Sequence, residues 1–153
     1  MFKGFSGDLL FTGRCTVVAC LGLICYGLTM SASTSENSIL TRRTEALLSL
    51  RKGEGLTLGK LTGVSDRDEL FGSDDPFECR STVIKTIQSE EELSLLALRN
   101  ALAIDDGLRG TLLTERRIRF LQDFKVSMRT LTAREEQGAQ VAAYLLPRFI
   151  ELG

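Results

Sequence analysis

Residues 93–104, LSLLALRNALAI, carry the reading on which the fold turns. Ser89 with Glu92 three residues later is a capping-box pattern, which announces a helix through Leu93, Leu95, Leu96, Leu98, Ala101, Leu102 and Ile104. This helix is apolar nearly all round, so it is expected at the centre of a bundle. Asp105-Asp106-Gly107 breaks the pattern.

On the C-terminal side, Thr114 can cap a helix whose Ile118, Leu121, Phe124, Met128 and Leu131 repeat at three and four. A last helix carries Val141, Ala142, Leu145 and Leu146 before Pro147 interrupts it. On the N-terminal side, Asp75-Pro76-Phe77-Glu78 combines an N-cap acid, a first-position proline and an acid in the first turn. Phe77, Ile84 and Ile87 then share a face, although the β-branched run Thr82-Val83-Ile84 leaves a strand open there. Ile39, Leu40, Ala46, Leu47 and Leu50 recur at near-helical spacing up to a glycine stop at Gly53. Between Gly53 and Asp75 the chain is rich in Gly and Asp and reads as a long loop. Leu56, Leu58, Leu61 and Val64 can pin that loop to the core or form a short extended piece. The expected architecture is all-α: an irregular bundle of four to five helices behind an N-terminal apolar helix.

That apolar helix is residues 15–30, CTVVACLGLICYGLTM, sixteen residues without a charge. At 1.5 Å per residue it spans about 24 Å, slightly short of a hydrocarbon core. Lys3 and Arg14 precede it and no base follows before Arg42, which favours a cytoplasmic N-terminus. Ser31 and Ser33 offer a small-x-small cleavage site. The expected organisation is therefore a signal peptide or single-pass anchor over 1–33 and a helical domain over 34–153. That domain is expected on the extracytoplasmic side of the membrane, or secreted after cleavage near Ser33.

Composition narrows the function classes. The 153-residue chain is 43% apolar, enough for one packed core, and its net charge of −1 provides no general field for nucleic acid. Residues 31–108 carry 14 acids and 9 bases, and residues 109–153 carry 5 acids and 8 bases. Such a split fits two halves packed on each other, or a solvated face on each. Cys15, Cys20 and Cys25 lie in the apolar segment and only Cys79 lies beyond it, so no disulfide framework can staple the domain. A buried, inert Cys79 is expected.

Without histidine there is no Ser-His-Asp triad, no Cys-His pair and no His-containing metal site. Gly55 to Lys60 is one residue short of a phosphate loop, and Leu61 stands where Ser or Thr should bind magnesium. Asp66, Asp68, Glu69, Asp74 and Asp75 lack the ligand spacing of a calcium loop. Arg116, Arg117, Arg119, Lys125 and Arg129 read as a solvated helix face, with Asp123 among them. No catalytic, cofactor or metal residue is expected.

Asp105, Arg109-Gly110, Leu112-Leu113-Thr114 and Phe120-Leu121 are similar to the short signature of extracellular helical sensor domains of the CHASE type, carried by bacterial receptors. Thr111 stands where that signature has an aromatic, and its glycine and acid after Thr114 are missing. The resemblance implies an extracytoplasmic ligand-sensing helical domain as a further alternative. The leading expectation is a non-enzymatic protein–protein interaction module, membrane-anchored through residues 15–30 and acting as an accessory or adaptor subunit. Its protein partner is expected to meet Tyr144, Leu145 and Phe149 on the last helix, or the 53–75 loop. A cleaved, secreted helical effector is the alternative.

Overall fold

The computed structural model describes residues 35–151. The expected apolar helix at 15–30 and the boundary at 33 lie outside them. The described residues are helical, with no strand among them. Residues 35–50 form α1. It is followed by α2 (Leu58–Thr62), α3 (Arg67–Phe71), α4 (Pro76–Gln88) and α5 (Leu93–Ala101). A 3-10 turn (Asp106–Leu108), α6 (Leu113–Phe124) and α7 (Met128–Ile150) complete the order. No helix among the described residues is long and apolar enough to cross a membrane.

The all-helical expectation holds, with more helices than four or five. The 53–75 stretch is not an open loop, because two five-residue helices lie inside it. Buried Leu61 holds α2 down, and buried Leu70 and Phe71 hold α3. One turn and a half is too short for a 3.6-residue period to show in sequence. Gly72, at φ +81, ends α3 in the left-handed region. The Arg67 guanidinium collects the Leu61, Thr62 and Val64 carbonyls at 3.1, 2.7 and 3.0 Å, closing the end of α2.

α5 is central as expected. Leu95, Ala97, Leu98 and Ala101 are fully buried, and α7 runs along α5 for much of its length. Small residues on α7 permit this approach: Gly138, Ala139, Ala142 and Ala143 are all buried. The Asp75 cap is also as expected, its Oδ1 accepting the Phe77 N–H at 3.0 Å with Pro76 in the first turn. The strand alternative at 82–84 falls, since those residues lie inside α4. The buried face of α4 is Cys79, Val83, Thr86 and Ile87, and Phe77 is exposed.

Three helix boundaries differ from the sequence reading. Ser89 does not cap α5; its hydroxyl donates to the Thr86 carbonyl, and Glu92 is the N-cap residue. The helix expected to run from Thr114 past Leu131 is two helices, because Lys125 turns left-handed at φ 51 and Ser127 opens α7. The Ser127 hydroxyl accepts the Thr130 N–H at 3.1 Å. At the other end, α7 continues through Pro147 to Ile150. A proline in the last turn removes one ladder bond, and Ile150 packs so tightly over Gly72 that a β-carbon there would be 2.5 Å from its Cγ2.

Two apolar clusters result. The larger draws on every helix except α6, from Leu47 and Leu50 to Leu145 and Leu146. The smaller joins Ala97, Phe120 and Leu131, with Leu93, Leu96, Leu121 and Val126 around them. It is the second cluster that seats α6.

Candidate functional site

α6 is the least covered long helix, with only Arg116 and Phe120 buried. Its N-terminus is closed by Glu115, whose Oε2 accepts the Leu112 N–H at 3.2 Å, so the cap lies two residues before Thr114. Phe120 stacks on Phe124 with ring centroids 4.2 Å apart. Leu112, Ile118, Phe124 and Met128 stay 42–56% exposed along this segment.

The basic run on α6 is not one solvated face. Arg116 is completely buried. Its Nη2 donates to the carbonyls of Ala101, Gly53 and Arg51 at 2.8, 3.0 and 3.1 Å, and its Nη1 donates to the Thr111 carbonyl. In return the Asn100 side-chain amide donates to the Arg116 carbonyl at 3.1 Å. One guanidinium thus ties the chain after α1, the end of α5 and the start of α6 together. Carbonyls at helix C-termini lack intrahelical donors and carry partial negative charge, which is what a buried cation needs. Burial pulls the Arg116 pKa below its ordinary value, while the nearby Glu135 charge opposes that.

Arg117, next along, turns to Glu135 on α7. Its Nε reaches Oε1 at 2.8 Å and its Nη2 reaches Oε2 at 2.5 Å. Arg51 adds a third contact to Oε2 at 2.6 Å, and Glu135 is fully buried. The hydrogen bonds to Glu135 hold the Arg117 pKa above its ordinary value. Arg43 makes a parallel contact elsewhere, donating to the Leu70 carbonyl at 2.8 Å and the Glu69 carbonyl at 3.2 Å at the end of α3. These contacts are architectural, since their acceptors belong to the fold itself.

Of the three residues expected to meet a partner, only Tyr144 lies openly at the surface, 65% exposed. Leu145 belongs to the core and is covered by the fold. Phe149 is half-buried and lines a surface pocket together with Phe71, Gly72 and Lys85. The three therefore do not make one face. Ile118, Phe124 and Met128 have the spacing of core residues, so their exposure does not show in the sequence.

The loop chemistry is likewise internal. Asp66 and Glu69 pair with Arg42 at 2.8 and 2.7 Å, and no group of three or more potential metal-ligating side chains occurs among the described residues. Lys60 donates to the Leu50 and Lys52 carbonyls at the end of α1. Cys79 is buried and donates its S–H to the Ser73 carbonyl at 3.0 Å; burial pushes its thiol pKa up, away from reactive thiolate.

No protein-family model matches the chain, and no curated protein or solved structure is significantly similar to it. The likeness of residues 105–121 to sensor domains is thus a short, local one.

Proposed function

We propose that this chain is a non-enzymatic helical interaction module, held at a membrane through residues 15–30 and acting as an accessory or adaptor subunit on a protein partner. The observation that carries the reading is the half-covered segment 112–128. Leu112, Ile118, Phe124 and Met128 are large, apolar and open there, beside Arg119, Lys125 and Arg129. Exposed apolar anchors interspersed with charge are what a protein contact uses. We therefore look for the contact along this segment rather than at Tyr144, Leu145 and Phe149.

Photo-crosslinking tests it. A photoreactive residue at Ile118 or Phe124 in the full chain, expressed in its own host, is expected to give a discrete adduct. The same residue at exposed Gln140 is expected to give none. Equal labelling at all three positions, or none at any, overturns the proposal. Mass spectrometry of the mature N-terminus decides between the anchored and secreted forms: Met1 or Phe2 retained supports the anchor, and a start near Thr34 supports the effector.

A further inference from the structure

Between α5, the 3-10 turn and α6 lies a cavity of about 490 Å³, within the range of small-molecule sites. Leu96, Leu108, Phe120 and Phe124 form its apolar wall. Four charged residues line it, and they divide into two kinds. Arg99 and Asp105 are bound to each other, Nε to Oδ1 at 2.8 Å. Arg119 and Asp123 are one helical turn apart yet form no ion pair with each other. Arg119 makes one long contact, 3.4 Å to the Gly107 carbonyl, and Asp123 has no partner among the described residues.

Asn100 adds an uncharged polar group to the lining. It is 8% exposed and lines the cavity. Its amide N–H groups face the Arg116 carbonyl, and no donor among the described residues meets its amide oxygen.

We propose that this cavity binds a free α-amino acid with a large apolar side chain. The side chain lies against Leu96, Phe120 and Phe124. The ammonium group donates to the Asp123 carboxylate and the Asn100 oxygen, and the carboxylate meets the Arg119 guanidinium, which leaves the weak Gly107 contact to take it. A plain anion would face Asp123, and a plain cation would face Arg119. Only a ligand with both charges close together satisfies both, and charge-assisted bonds are the strong ones. The cavity shares Phe124 and Arg119 with the partner segment, but the inference does not rest on that reading: ligand binding is tested on the chain by itself.

Isothermal titration of the full chain with L-phenylalanine, phenethylamine and phenylpropanoate tests it. The amino acid is expected to bind at one saturable site, about tenfold more tightly than either singly charged analogue. Asp123→Asn is expected to abolish the preference over phenylpropanoate, and Arg119→Gln the preference over phenethylamine. Gln122→Ala, on the outer face of the same turn, should leave binding unchanged. Both charged residues are exposed, so these variants keep the fold, and the analogue series needs no variant at all. Absence of saturable binding of L-phenylalanine and L-leucine up to about 10 mM overturns the proposal, as does equal affinity for all three ligands.

Discussion

Gly138 on α7 lies so close to Ser94 on α5 that a β-carbon at 138 would stand 2.2 Å from the Ser94 carbonyl oxygen and 3.1 Å from the Leu98 β-carbon. No rotamer change relieves a clash with backbone. The two longest-shared helices of the bundle would have to separate. Gly138→Ala is therefore expected to destabilise the chain by at least about 2 kcal/mol, although alanine is the better helix former. Urea denaturation checks this; an unchanged midpoint would show that the helices part easily.

Glu135 holds two guanidinium groups in a site with no water access of its own. Glu135→Gln keeps the shape and removes the charge, leaving Arg51 and Arg117 uncompensated at 16 and 20% side-chain exposure. The expected loss is about 3 kcal/mol. Replacing Glu135, Arg51 and Arg117 together by Leu or Met should cost less than the single change, because desolvation no longer opposes burial. A triple variant weaker than Glu135→Gln would refute that account.

Arg116→Lys tests whether charge alone suffices at the α1, α5 and α6 junction. A single ammonium cannot reach the carbonyls of Thr111, Arg51, Gly53 and Ala101 at once, as the guanidinium fork does. Lysine should then rescue little. Both Arg116→Lys and Arg116→Met are expected to lose roughly 3 kcal/mol, measured by thermal or chemical unfolding.

Cys79 gives a pH signature. Its folded pKa is raised by burial above the ordinary value of 9.0. Above that pH the unfolded thiol ionises while the folded one keeps its proton, so the unfolded chain binds fewer protons and stability falls as pH rises. Lys60, lowered by burial and by the Arg116 charge, contributes in the opposite sense below 10.5. Comparing wild type with Cys79→Ala between pH 8 and 10 cancels the lysine and is expected to show a shallower decline in the variant. Parallel curves would contradict this.

Much of the fold was legible where one residue type enforces one geometry. Asp75-Pro76 marked the start of α4, Gly53 the stop after α1, and the apolar run at 93–104 the centre. The rest failed for physical reasons. Helices of five residues leave no periodic trace, and Ser89 offered a cap that the backbone used elsewhere. Lys125 adopts a left-handed turn that no glycine announced. Arg116, Arg43 and Glu135 were readable in one respect: each occupies the apolar register of its helix, with Phe120, Leu47 and Leu131 one turn away. A charge in that register means a buried partner, and here two of the three partners are backbone carbonyls, which sequence does not display. The candidate site suffered from the same blindness. Ile118 and Phe124 have core spacing and surface exposure, and nothing in their order distinguishes the two.

The junction at Arg116 also bears on how the chain can vary. Its acceptors are peptide carbonyls at positions 51, 53, 101 and 111, which every amino acid supplies. With respect to this contact, the side chains at those four positions can drift independently while the arginine cannot. A joint between three segments then leaves no pair of residues changing in step. Methods that infer contacts from correlated substitution would pass over the point where these helices are locked together.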